Sequence, residues 1–440
     1  MREPLDLVAD LNFWYKKQET GIPRKELTQV LKLIDMKDVS FFILGVRRAG
    51  KTFLAKQILE KKIEAGLKKE QTFYINFEDK RLEPYLNSKL LDQLYANYRE
   101  ELNPRDFFYL VLDEVHNVEG WEKWIRMMLE RREKLKIIVT GSGSKILTPK
   151  LATVLTGRKL KYDLFPLSFE QFLEFKQEKR KYRKKEDNLR FLNEYLKFGG
   201  LPLVVLSGSK EQKRYFLQEL YDDIITKDIS FRFRLREEKL LRKVSFLVMN
   251  NFAGYVSIRK IKNALKSMLQ ESISPSTLSN YFECFSRSFL FIFLPIFSFN
   301  IKDQEQYPKK VYCIDTGLIN AIIPKFSENL GRFYENIVAV ELLRRKATES
   351  DKEIYYWKNP LQEEVDFVVK GGLKVKQLIQ VCYDLNDEKV KKRELRGLLK
   401  ASEELKCSDL LIISEKKDGE EKIGNRKVKY FPLWKWLLEK

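Results

Sequence analysis

Residues 45–52 read Gly-Val-Arg-Arg-Ala-Gly-Lys-Thr, two glycines five positions apart with a lysine and a threonine directly after the second. This is the G-x-x-x-x-G-K-[ST] spacing of a phosphate loop. The chemistry it serves is electrostatic. Backbone N–H groups of a glycine-rich turn surround phosphate oxygens, the lysine neutralises the β and γ phosphates, and the hydroxyl ligates Mg²⁺. Gly45, Gly50, Lys51 and Thr52 carry the pattern, Val46, Arg47, Arg48 and Ala49 complete the loop, and Phe53 follows it; together they form the candidate segment for ATP. Arg47 and Arg48 have no assigned role, because a contact with a neighbouring subunit and plain solvation both fit.

A second chemical set lies at Asp113 and Glu114, which end the apolar run of residues 107–112. Here Asp113 is expected to hold Mg²⁺ through water and Glu114 to polarise an attacking water, a pairing that favours hydrolysis over passive binding. His116 is expected to be a local hydrogen-bonding group. After the next apolar run, Ser142 is the candidate sensor of the γ-phosphate, with Thr140 and Ser144 close behind; a plain Gly/Ser turn fits the same residues. A third set is spread over the last quarter of the chain. Glu335 on a helix, Asp366 on a strand and Gln380 on the next strand suit a second metal site of the PD-(D/E)XK nuclease kind. The position where that pattern needs a lysine is Cys382, so an inactive relic and a site rescued by Lys374 or Lys376 both stand as readings.

These residues need elements to position them. "SFFIL" before the phosphate loop reads as a buried strand and "TFLAKQILEKKI" after it as a helix, the order a phosphate loop requires. Residues 136–140 form another buried strand, and a further strand starts near Arg158. Helical periodicity resumes through residues 171–236, read as a helical lid; Arg232, Arg234 and Arg236 alternate there with Phe and Leu, and one of them is a phosphate-sensing candidate. Three helices then precede two apolar strands joined by the polar loop "NIKDQEQYP", the winged helix-turn-helix order. The third of these helices is expected to present Ser276, Thr277, Ser279 and Asn280 beside Tyr281, with Lys260, Lys262 and Lys266 on the helix before it.

The motifs "GVRRAGKT", "LVLDEVHNVEGWE", "VTGSGS", "LTGR" and "FPLSFEQFL", in this order, resemble the AAA-type ATPases of archaea and bacteria that carry a C-terminal domain of unknown function, relatives of the STAND and Orc-like ATPases. The resemblance covers nearly the whole chain. It implies an α/β P-loop fold of AAA+ type, with an extra strand between the phosphate-loop strand and the acidic strand. It also implies that Arg158 is an arginine finger reaching a neighbouring subunit, in a homo-oligomer for which a ring is one form. Pro23 and Arg24 would approach the adenine, while Gly200 and Pro202 would carry a lid signature near the nucleotide. The C-terminal domain of the family resembles a restriction-endonuclease-like α/β fold.

The expected organisation is therefore an AAA+ core at 1–170, a lid at 171–236, a winged helix at 237–320 and a restriction-endonuclease-like domain at 321–440. The charge supports a polyanionic partner: 83 Lys and Arg against 63 Asp and Glu give +20 over 440 residues. The basic run at 176–185 contains acidic residues and reads first as a solvated helix face. Four widely spaced cysteines and a single histidine exclude zinc-finger spacing. Charges among the first ten residues and the short, Pro295-interrupted apolar run at 289–299 point to a cytoplasmic protein without a membrane anchor. The expected function is a Mg²⁺-dependent ATPase that binds DNA and remodels it or a nucleoprotein complex. A STAND-type switch assembling on ATP is the alternative, and an ATP-dependent nuclease a third.

Overall fold

The computed structural model describes residues 4–103, 106–142, 153–176, 185–235, 237–270, 272–323, 330–349 and 351–439. Ser144, Arg236 and most of the basic run at 176–185 lie outside them. The chain forms two compact units, Met1–Leu164 and Phe165–Lys440.

In the first unit, β1 (Ser40–Leu44), β2 (Thr72–Asn76), β3 (Phe108–Asp113), β4 (Leu135–Gly141) and β5 (Lys159–Asp163) form one sheet in the order β2-β3-β4-β1-β5. Every neighbouring pair is parallel, and β4 is the extra strand between the loop strand β1 and the acidic strand β3. Strands buried on both faces read as continuous apolar runs, which is why "SFFIL" is buried at every position. Phe41, Ile43, Tyr109 and Val111 face one core with Leu54, Ala55, Ile58 and Leu59 of α2 (Lys51–Glu64) and Leu27 and Val30 of α1 (Glu26–Leu33). On the opposite face α3 (Ser88–Glu101) stacks Tyr98 on Phe73 at 4.5 Å, and α4 (Trp121–Glu130) sets Trp121 against Phe42. Fully burying one such side chain is worth about 1.5–3 kcal/mol. Because all strands run the same way, their C-terminal ends gather the phosphate loop, Asp113–Glu114 and Gly141–Ser142 on one edge, where open α/β sheets bind ligands.

In the second unit, the segment read as a lid consists of the helices Phe169–Phe175, Lys185–Phe198, Pro202–Leu206 and Lys210–Asp223. The last continues not as an α-helix but through π-helical turns over Ile224–Phe231, within which Asp228 forms a buried ion pair at 3.1 Å with Arg232, the residue that follows them. Next come the helices Glu238–Asn250, Ile258–Leu269 and Pro275–Arg287, with an antiparallel sheet β6 (Gly254–Val256), β7 (Phe291–Leu294) and β8 (Lys309–Cys313) in the order β6-β8-β7. Two details differ from the sequence pattern. The three-residue β6 is too short to leave a period, and the polar loop before β8 holds a helix, Ile301–Gln306, capped by Asn300, whose side chain accepts from Lys302 N.

The remainder is a six-stranded mixed sheet, β13-β14-β12-β11-β10-β9, built from β9 (Lys352–Lys358), β10 (Glu364–Gly371), β11 (Lys374–Val381), β12 (Leu410–Ser414), β13 (Gly419–Ile423) and β14 (Arg426–Pro432). The helices Leu330–Thr348 and Glu388–Glu404 pack against it. Among the described residues no helix is long and apolar enough to cross a membrane, and Cys284, Cys313, Cys382 and Cys407 are buried free thiols.

Candidate active site and a second carboxylate cluster

The phosphate loop leaves β1 at Gly45, where a Cβ would meet the Leu164 carbonyl oxygen at 2.2 Å, so only glycine lets β1 and the end of β5 run this close. The loop turns through two left-handed positions, Arg48 at φ +66° and Gly50 at φ +97°. Gly50 then serves as the N-cap of α2. Successive turns of this kind aim N–H groups into a concavity that attracts anions, and a helix N-terminus adds to its positive field. The Lys51 ammonium is buried. It donates to the carbonyls of Gly45 (3.3 Å) and Val46 (3.2 Å) and lies 3.7 Å from Glu114 Oε1. Arg47 forms an ion pair with Glu78 at 3.2 Å, and Arg48 is exposed.

Asp113 is the most enclosed group of the site. Its carboxylate accepts from the Thr52 hydroxyl at 2.8 Å, the Tyr74 hydroxyl at 2.5 Å and the Thr140 hydroxyl. Burial, and then the neighbouring Glu114 charge, push its pKa up from the ordinary aspartate value, and the three hydroxyl donors pull the other way. Thr52 and Asp113 thus bring two hard oxygen donors together at the mouth of the loop, a set that fits Mg²⁺.

Glu114 adopts a left-handed backbone, φ +54°, at a non-glycine position where strain of about 1–3 kcal/mol is typical of functional sites. It is held there by its N–H donating to both the carbonyl and the hydroxyl oxygen of Thr140. Its carboxylate accepts from Ser142 N at 3.4 Å, and His116 Nδ1 sits 3.2 Å away. Thus β4 orients both acids: Thr140 grips Asp113, and the Ser142 backbone reaches Glu114.

The segment approaching α1 is fastened to the loop. Arg24 is buried and donates from its guanidinium to Ala49 O at 3.0 Å and to Glu26, while Gln57 of α2 accepts from Arg24 N and donates to the carbonyls of Thr20 and Ile22. Arg24 therefore braces the loop's own carbonyl. Pro23 is exposed, and Phe53 lies half-exposed with its ring against Gly21. Arg158 stands at the N-terminal edge of the sheet, where its carbonyl accepts from Ser40, and its guanidinium lies 3.5 Å from Glu130. It is far from its own phosphate loop, which follows the other end of β1. In the second unit, Gly199 and Gly200 before Pro202 form a cradle for Asp315: its carboxylate accepts from Gly200 N at 2.7 Å, and a Cβ at Gly199 would overlap it.

Tyr74 escapes a reading of the sequence because it sits in the middle of an apolar strand. The only signal is a hydroxyl on a strand neighbouring the acidic one, and its position depends on Asn12, which bonds both its N–H and its carbonyl.

The C-terminal set has a different form. Glu335, Asp366 and Gln380 do converge, together with Glu364 and Glu394. Gln380, however, is occupied: its Oε1 accepts from Asp366 N, and its Nε2 donates to Glu394 at 2.5 Å. Cys382 is a buried thiol with its pKa pushed up to about 12 by burial, and it donates to Asp384 O. Lys374 and Lys376 are exposed on β11. The cation present comes instead from β8. The Lys310 ammonium lies 2.9 Å from Glu335 Oε1, 2.5 Å from Glu364 Oε1 and 2.7 Å from Asp366 Oδ1. Burial opposes its charge, but the surrounding carboxylates outweigh burial and hold its pKa well above the ordinary lysine value. Glu335, which also accepts from the Tyr312 hydroxyl at 2.7 Å, is raised to about 7 by burial and by Asp366. Tyr281, expected on the exposed face of the third helix, is buried, whereas Ser276, Ser279 and Asn280 are exposed.

Comparison with known proteins matches three segments of the chain. A family model described as an AAA domain matches residues 38–173. Two models described as domains of unknown function, DUF8612 and DUF4143, match residues 189–329 and 330–436. Among solved structures, Orc1 of Aeropyrum pernix in complex with DNA is similar over 75% of this chain and 97% of that one, at 15% identity and a TM-score of 0.33. An uncharacterized protein of Haemophilus influenzae is 29% identical over 356 residues, 80% of this chain and 85% of that protein. An uncharacterized protein of Methanocaldococcus jannaschii is 37% identical over 406 residues, 90% of this chain and 87% of that protein. The chain belongs to the same family as this archaeal protein, a family of AAA-type ATPases.

Proposed function

We propose that the ATPase acts on DNA, with hydrolysis at the phosphate loop coupled to remodelling of DNA or of a nucleoprotein complex. The observation that carries this reading is the module at 237–320. Its order of helix, strand, two helices and two strands fits a winged helix-turn-helix, and the exposed face of its third helix offers Ser276, Ser279 and Asn280. Lys262 and Lys266 are exposed on the preceding helix, and the net charge of +20 suits a polyanion. Lys260 contributes less, since its ammonium is bonded to Asn251 and to the Tyr255 carbonyl.

At the catalytic centre, Lys51 and the loop N–H groups bind the phosphates, and Glu114 takes the proton of the attacking water. Mg²⁺, when bound by Thr52 and Asp113, supplies charge neutralisation for the γ-phosphoryl group. Ser142, directly after β4, is read as the sensor. Arg158, at the opposite sheet edge from its own loop, is suited to a neighbour's nucleotide in a homo-oligomer.

The test is the ATPase rate across single-stranded, double-stranded and branched DNA at rising salt. We expect stimulation that falls with salt and disappears in Lys262→Glu/Lys266→Glu/Asn280→Ala, with the basal rate retained. Absence of stimulation by every DNA, together with an ATP-dependent change of oligomer mass, would replace this reading with the STAND-type switch.

A further inference from the structure

We infer that Lys310 is the resident cation of the C-terminal carboxylate site, so that this domain holds no divalent metal there and does not cut nucleic acid through it. An ammonium has three protons and no acceptor. Those of Lys310 meet three carboxylate oxygens, one each from Glu335, Glu364 and Asp366, at 2.5–2.9 Å. Its coordination is complete without a metal.

Two of these carboxylates have further donors. Asp366 Oδ2 accepts from Val381 N at 2.9 Å, and Glu335 Oε1 from Tyr312 as well as from Lys310. Magnesium needs near-octahedral oxygens at about 2.0–2.1 Å and keeps several waters. Yet the Lys310 side chain is 3% exposed and that of Asp366 7%, and among the described residues no group of acidic, histidine or cysteine side chains has metal-binding geometry. A lysine assisting a nuclease stands beside the metal and leaves the carboxylates to it. Here the ammonium lies on all three.

The lysine also comes from outside the domain. It is on β8, in the sheet of the preceding module, while its acceptors lie on the helix Leu330–Thr348 and on β10. The same junction is tied by Arg332, which donates to the carbonyls of Phe252 and Asn250, and by backbone bonds between Tyr356 and residues 295 and 297. Lys310 thus ties the two modules together.

The experiment is Mn²⁺ binding to the nucleotide-free full-length protein, followed by electron paramagnetic resonance, with Mn²⁺- and Mg²⁺-dependent plasmid cleavage run in parallel. The wild type and Asp366→Asn should give superimposable isotherms and no cleavage. Lys310→Ala should gain one site at least tenfold tighter than the background, and adding Asp366→Asn should remove it. A Mn²⁺ site or a cleavage activity in the wild type that Asp366→Asn abolishes would overturn the inference, and this arm decides even where Lys310→Ala does not fold.

Discussion

Two sites in this chain bring a lysine to a set of carboxylates, and they are built to opposite ends. At the phosphate loop the Lys51 ammonium rests on two backbone carbonyls, 3.7 Å from Glu114, and the Thr52 hydroxyl borrows Asp113. Each of these contacts can be exchanged for a phosphate oxygen or a metal ion without leaving a buried charge unpaired. In the C-terminal cluster, Lys310 is paired with three carboxylates and shut away from solvent. The difference is what a ligand would have to displace. Backbone carbonyls, one long ion pair and a hydroxyl keep a site available, whereas close pairing with three carboxylates makes it structural.

The largest expected effect separating the two sites is catalytic. Lys51→Ala and Glu114→Gln should each lower the Mg²⁺-dependent ATPase rate by about 10²–10⁴-fold, while Glu335→Gln or Asp366→Asn leaves it within a fewfold of the wild type. A steady-state phosphate-release assay on the purified variants reads this directly.

Stability gives the reverse pattern. Lys310→Ala strands carboxylates in a buried setting and should cost about 3–5 kcal/mol in denaturant unfolding. Lys310→Met combined with Asp366→Asn and Glu335→Gln removes charge on both sides and should recover much of that loss. If the single and the compensated variants are equally unstable, the ionic account of the cluster is wrong.

A smaller effect lies in the pH dependence. Burial raises the Glu335 carboxyl from 4.5 to about 7 and the Asp315 carboxyl from 3.8 to about 6. Between the unfolded and the folded values the native chain holds protons that the unfolded chain has released. The stability this gives is complete below the unfolded values and is lost as pH rises through the folded ones. Unfolding free energy should therefore decline between pH 5 and 7.5, and Glu335→Gln should flatten the slope by on the order of 2 kcal/mol over that window.

What could be read from the sequence follows from how local each site is. The phosphate loop is eight consecutive residues between a buried strand and a helix, and Asp113–Glu114 end an apolar run, so pattern alone singles out both. Neither Tyr74 nor Lys310 is local in this sense. Tyr74 reaches Asp113 only because β2 pairs in register beside β3, and Lys310 meets Asp366 across 56 residues of chain. Within β8 it is one of two adjacent lysines next to an apolar run, with nothing to mark it as buried. Likewise β6 and the charged, largely solvent-facing β13 leave little apolar alternation to detect. That Cys382 stands where the nuclease pattern needs a lysine is legible in the sequence. What takes over the positive charge depends on packing between modules, which local pattern does not encode.

The most direct test of the contrast is to count Mn²⁺ per chain in the presence of a non-hydrolysable ATP analogue. One tightly bound ion is predicted, lost in Thr52→Ala and unchanged in Asp366→Asn. A second ion that Asp366→Asn removes, or a single ion indifferent to Thr52→Ala, would contradict the assignment of one open and one filled site.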